Sequence, residues 1–195
     1  MLTKLKQLFR SSQPQTTKRK QRKGKTASRP LADARHADID SFIEAVYQAD
    51  AKGNSPWVLR DESVLQTLRR ALEFTVHKGV WLQQQDGEVA HWQGRLLSLR
   101  HGEVPPLGMV LACRPDDEAA WQLRFFYISQ EWKGSGHGTR LLMAIRRSLS
   151  GVPLQTRLPL SCHSAIDSLE AAGFTRQYVD AFEVATYEAP AKWDE

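Results

Sequence analysis

The stretch WQLRFFYISQEWKGSGHGTRLLMAIRRSL, residues 121–149, decides the fold. Its first part, Trp121–Ser129, is rich in aromatic residues and reads as a strand. Apart from Arg124 it is apolar enough to be buried on both faces. Its last part, Thr139–Leu149, puts Leu141, Leu142, Ile145 and Leu149 on one side of a helix. Between them Gly134, Gly136 and Gly138 alternate. Glycine lets a backbone turn tightly and lets a ligand approach amides with no side chain in the way. The first amides of the following helix lack intrahelical partners, and its dipole places partial positive charge there. Such a terminus is a site for phosphate, and Lys133 adds a full charge beside it.

Two familiar phosphate motifs do not fit. A P-loop needs a Lys after its glycines, and here Lys133 precedes them. A dinucleotide fingerprint needs G-x-G-x-x-G in a leading strand–helix–strand unit. Here the spacing is G-x-G-x-G, late in the chain.

Upstream, Asp38 reads as the cap of a helix with Ile39, Phe42, Ile43, Val46 and Tyr47 inward, ended by Gly53-Asn54. A second helix spans Ser63–Lys78, with Val64, Leu65, Leu68, Leu72 and Val76 inward and Gly79 as its stop. Val80–Gln85 and Glu88–Gln93 flank Asp86-Gly87 as a hairpin. Arg95–Arg100 and Leu107–Arg114, joined at His101-Gly102, read as further strands. Downstream come a strand at Leu154–Leu160, a helix at Ser164–Ala172 ended by Gly173, and one or two strands in Arg176–Glu188. The order predicts a mixed α/β fold, a central, mostly antiparallel sheet flanked by helices.

Lys133 through Leu142 resembles the acyl-CoA signature of the GCN5-related N-acetyltransferase (GNAT) family, Q/R-x-x-G-x-G/A, with Lys for Gln/Arg. The Gly173-Phe174 ending of helix Ala165–Ala172 is similar to a second family feature, and Arg29–Asp38 to the family's opening strand and helix start. The resemblance covers residues 29–188 and implies an acetyl-CoA-dependent N-acetyltransferase acting on an unidentified amine by direct attack. It implies that the pyrophosphate rests on Gly134, Ser135, Gly136, His137, Gly138 and Thr139, near Lys133. It implies that pantetheine runs along the strand edge at Phe126, Tyr127 and Ile128. The family's usual acid, a Tyr, falls at Leu169, and its usual Glu base falls at Gln122. His163 and Ser168 are the substitutes near the emerging thiol. Cys162, Glu131, and His91 with Trp92 are secondary candidates, the last two for an acceptor pocket.

The charge is split. The 195 residues hold 27 Lys/Arg and 22 Asp/Glu, for a net charge of +5. Ten of the bases and none of the acids lie in residues 1–30, so the remainder carries 17 bases against 22 acids. Residues 1–29 read as a disordered basic tail, and 30–195 as the acetyltransferase-like domain. Leu2, Leu5, Leu8 and Phe9 could line a short cationic helix, and Lys18–Lys23 loosely matches a nuclear-import patch. The tail composition also loosely matches a mitochondrial presequence. The tail suits a nucleic-acid or ribosomal partner, whereas the acidic body suits a cationic amine. From this comes a second reading: a catalytically idle module tethered by the tail to an anionic partner. Two cysteines, Cys113 and Cys162, are too few for a disulfide scaffold and lack zinc-site spacing, which points to a reducing compartment and a cytoplasmic location. No apolar run reaches membrane-span length. The strand edges and the 80–93 hairpin do not reveal an oligomeric state.

Overall fold

The structure is a computed structural model that describes residues 31–85, 87–101 and 105–191. The basic segment 1–30, with its expected helix, import patch and partners, lies outside the described residues, as do Asp86 and Gly102 of the two expected turns. In chain order the elements are β1 (Leu31–Asp33), α1 (Ile39–Asp50), α2 (Glu62–Lys78), β2 (Val80–Gln85), β3 (Glu88–Leu99) and β4 (Gly108–Arg114). Then follow β5 (Trp121–Ile128), α3 (His137–Ser148), β6 (Leu154–Pro159), α4 (His163–Ala171), β7 (Thr175–Val179) and β8 (Val184–Ala189). One sheet runs β1-β3-β4-β5-β6-β8-β7, with β2 also on β3. Every pairing is antiparallel except β5 with β6. No described helix is long and apolar enough to cross a membrane.

Each face of the sheet carries its own core. Leu141, Leu142 and Ile145 of α3 and Leu169 of α4 are fully buried against one face, together with Phe174 and Tyr187. Ile39, Phe42 and Val46 of α1 and Leu68 and Leu72 of α2 fill the other. Each such side chain removed from water contributes about 1.5–3 kcal/mol. Helix α2 starts where the Asp61 carboxylate accepts the Ser63 N–H at 2.8 Å. It stops at Gly79, whose φ of +67° is the left-handed geometry of a helix end.

Four expectations change. Asp38 caps no α1 amide with its side chain. It is buried, accepts the Arg35 N–H at 2.7 Å and forms an ion pair with buried Arg100. The two strands expected at 88–93 and 95–100 are one, β3, because Gly94 pairs with Cys113 without breaking register. Tyr47 and Val64 lie outside the buried stripes and are exposed. In β5 only Trp121 and Leu123 are buried, and Phe125–Ile128 are half-buried. The cause is that the strand loses a neighbour part-way along.

Candidate active site

Strands β5 and β6 pair over three positions only, from Trp121 opposite Leu154 to Leu123 opposite Thr156. The Thr156 hydroxyl donates to the Leu123 carbonyl at 2.9 Å and marks the last link. Beyond it β5 keeps β4 on one edge, and β6 keeps β8 on the other. The sheet therefore opens as a wedge along residues 124–128. Strand backbone groups alternate between the two edges. The Ser129 N–H bonds to the Leu107 carbonyl, so Tyr127 and Phe125 spend their backbone groups on β4. Those of Phe126 and Ile128 face the wedge.

A bulge at Arg124 sets the side chains. Leu111 opposes Phe125 and Ala112 opposes Leu123, which leaves Arg124 as the extra residue. Trp121 and Leu123 point to the α3/α4 core, but past the bulge Phe125 and Tyr127 point to the α1/α2 core. Phe126 and Ile128 pack on the α3/α4 side. Of the expected strand contacts, Phe126 and Ile128 thus present backbone to the wedge, while Tyr127 sits against Phe42. The Tyr127 hydroxyl is buried with no hydrogen-bond partner among the described residues, and burial pushes its proton affinity up.

The loop after β5 closes the broad end of the wedge. Its three glycines have two different reasons. Gly134 and Gly136 have φ of +75° and +71°, and a Cβ on either would meet nothing within 4 Å. They are glycine for backbone conformation, and the space before them is open. Gly138 has an ordinary φ, but a Cβ there would lie 2.6 Å from Ser168 Oγ. It is glycine so that α3 can pack against α4. Gly136 is the N-cap of α3 with no side-chain cap, and its carbonyl accepts the Arg140 N–H at 3.2 Å. The amides of His137, Gly138 and Thr139 therefore precede the first intrahelical bond. Lys133 and Ser135 are exposed beside them. The His137 ring turns inward, buried against Trp132 in an edge-on contact at 5.8 Å, so this residue brings its amide to the loop.

Helix α4 lies alongside. His163 is its exposed first residue. The Ser168 hydroxyl donates to the Ser164 carbonyl at 2.8 Å. Leu169 is fully buried in the core, and the half-buried Cys162 thiol is pushed up by burial. Gly173 ends the motif with φ of +80° where Arg146 donates to the Ala172 carbonyl at 2.8 Å, tying α4 to α3. Glu131 is exposed in the short turn before the loop. His91 is exposed on β3, and Trp92 packs on the α1/α2 core; neither lines the wedge.

On the opposite face the wedge opens into a cleft of about 410 Å³. Gln122 and Arg124 line it from β5, Gln155 and Arg157 from β6, and Tyr178 and Thr186 from the β7–β8 pair. Pro56 of the α1–α2 connection closes one side. Gln122 pairs with Cys113, whose side chain lies in the α1/α2 core, which fixes the face. The sequence marks Gln122 as the position of a base and Arg124 as the lone charge in an apolar strand; Pro56, Gln155, Arg157, Tyr178 and Thr186 carry no local signal of a site. A second hollow, about 470 Å³, lies by Trp121, Gly94 and Thr75 at the other end of β5, away from the loop.

No protein-family model matches the chain, and no curated protein does. Solved structures do. A phosphinothricin acetyltransferase of the GNAT superfamily from Sinorhizobium meliloti, in complex with acetyl-CoA, superposes with a TM-score of 0.58 at 19% identity, covering 82% of this chain and 86% of that one. The chain has the GNAT fold. The spermidine N-acetyltransferase of Vibrio cholerae with CoA and spermine gives a TM-score of 0.60 at 10% identity, over 83% of this chain and 94% of that one. The ribosomal L7/L12 α-N-protein acetyltransferase RimL with coenzyme A gives 0.57 at 11%, with the same coverage. In the terms of the GNAT fold, β5 is the strand that leads into the signature loop, and the wedge is the split beside it.

Proposed function

We propose that this GNAT-fold protein is an acetyl-CoA-dependent N-acetyltransferase. The observation that carries the reading is the wedge. An unpaired strand edge, with Phe126 and Ile128 presenting backbone groups, leads straight to the amides of residues 134–139. The residues fit the cofactor. The Gly134 and Gly136 positions leave open space where any other residue would place a Cβ, and α3 supplies amides at its positive end. Lys133 adds charge for a pyrophosphate. The edge of Phe126 and Ile128 suits an extended amide chain laid as an added strand.

Acetyl-CoA, when bound, supplies an acetyl group as a thioester open to attack by an amine. The chain's own residues position the partners. The loop and strand edge hold one from the α3/α4 side, and the cleft admits the other from the α1/α2 side. Gln122 stands where a carboxylate base is common in GNAT proteins; its amide can orient an amine but cannot take its proton. The cleft is open to solvent, which can. Positioning alone supplies on the order of 7 kcal/mol of barrier lowering in well-oriented cases. His163 and Ser168 are the α4 groups assigned to the departing thiol; His163 is exposed at the start of α4, and Ser168 packs beside Gly138 at the loop. The basic segment 1–30 suits a polyanionic partner, and such binding would weaken steeply with salt.

The test is calorimetric titration of acetyl-CoA into the full chain and into Gly136→Val. The basic segment is common to both, so the difference reports the loop. One-to-one micromolar binding in the wild type and a loss of tenfold or more in the variant are expected. Equal binding by both would remove the loop from the site.

A further inference from the structure

The charge of the cleft points to the kind of amine it accepts. Among the described residues its lining holds two guanidiniums, Arg124 and Arg157, and no carboxylate. Arg157 is committed to Asp180 at 2.5 Å. Glu188, the nearest acid on β8, takes the Gln155 amide at 2.9 Å. Among the described residues Arg124 has a neutral contact alone, donating to the Gln122 side chain at 3.3 Å. No described carboxylate forms an ion pair with it. In the same lining Thr186 is more than nine-tenths buried, and its hydroxyl has no hydrogen-bond partner among the described residues.

We infer that the acceptor is an amine that also carries an anionic group, a carboxylate or a phosphate monoester, and that Arg124 binds that group with the Thr186 hydroxyl as a second donor. This rests on the acetyltransferase reading of the same wedge. A guanidinium is the side chain suited to planar, two-point recognition of such anions. The lone charge of Arg124 sits on the bulge of β5, one residue past the last β5–β6 pair. It therefore stands at the opening of the wedge rather than at the rim of the molecule. A polycationic amine would meet repulsion there with no carboxylate to offset it. An amine anchored by its own anion would not. The same guanidinium favours the uncharged amine, because a nearby like charge disfavours the ammonium form. That is the form required for attack, and it eases the want of a base at Gln122.

Two measurements on the full chain test this. The first is release of CoA thiol from acetyl-CoA with matched acceptors: α-amino acids, the same compounds as carboxamides, amino-sugar phosphates with their unphosphorylated sugars, and spermidine. Preference for the anionic member of a pair by tenfold or more in kcat/KM is expected. Arg124→Gln should raise KM for that member at least tenfold and narrow the preference. Which pair shows it, carboxylate or phosphate, assigns the source. Equal use of acid and amide, or use of spermidine alone, would overturn the inference. The second measurement needs no turnover: acetate and inorganic phosphate are titrated while the Arg124 side-chain N–H is followed by NMR, assigned by its loss in Arg124→Gln. A saturable shift in the millimolar range is expected. No saturable shift with either ion would overturn the inference whatever the turnover panel shows. Failure of acetyl-CoA binding, read separately by calorimetry, would instead remove the acetyltransferase reading while leaving an anion site at Arg124.

Discussion

The two sides of the β5 wedge are built on different principles. On the α3/α4 side the groups offered to a ligand are backbone: the edge of Phe126 and Ile128 and the amides of residues 134–139. On the α1/α2 side they are side chains from three strands that are far apart in sequence, Gln122 and Arg124, Gln155 and Arg157, and Thr186. The first arrangement tolerates almost any sequence that keeps the glycines and the strand. The second depends on which residues the topology brings together. A backbone site belongs to a fold and a side-chain site to one protein, so the first should be common to GNAT proteins and the second should set the acceptor.

Mutations can break this contrast, and the largest effect is expected on the α1/α2 side. Asp38→Ala takes from the buried Arg100 guanidinium its buried carboxylate and should cost stability, up to about 3–5 kcal/mol, read by urea denaturation. A cost near zero would mean that the pair is not buried in solution. Next is Gly138→Val, which drives a side chain into Ser168. Overpacking of this kind costs about 1–3 kcal/mol, and combining it with Ser168→Gly should restore part of that. If the double variant is no more stable than Gly138→Val alone, the packing reason for this glycine is wrong. Gly134→Ala meets open space and should cost only the left-handed backbone penalty, about 1 kcal/mol. Smaller still is Tyr127→Phe. Removing a buried hydroxyl that has no partner among the described residues should leave stability unchanged or raise it by up to about 1 kcal/mol. Loss of stability would show that the hydroxyl has a structural role. The thiols give the gentlest contrast: burial pushes Cys113 up to about 12, so at pH 8 iodoacetamide should modify half-buried Cys162 first. Stability owed to keeping Cys113 neutral is present at and below neutral pH and would change only above its unfolded value.

The contrast also explains what could be read from the sequence. The glycine run before an amphipathic helix marked the backbone side, because Gly134 and Gly136 are required by backbone conformation alone. The Gly173-Phe174 ending was legible for the same reason, since Gly173 sits in the left-handed region. Burial on both faces of Trp121–Ser129 was misread because the bulge at Arg124 exchanges the two faces part-way along. Six apolar residues at 121, 123 and 125–128 look like a doubly buried strand when they serve two cores in turn. Arg157, Tyr178 and Thr186 gave no local signal, because their shared position exists only once β6, β7 and β8 pair. His137 reads as a residue of the phosphate loop, and its ring is buried in an edge-on contact with Trp132 while its amide stays at the loop. Asp38 looked like a helix cap, and its partner Arg100 lies 62 residues away.

Amide hydrogen exchange of the full chain with and without acetyl-CoA distinguishes one continuous site from two unrelated features. Acetyl-CoA should slow exchange at two separated places together, Phe126 with Ile128 and the amides of residues 134–139, while Tyr127, already bonded to β4, changes little. Protection confined to the loop, or absent from both, would contradict the claim that the open strand edge and the glycine loop form one site.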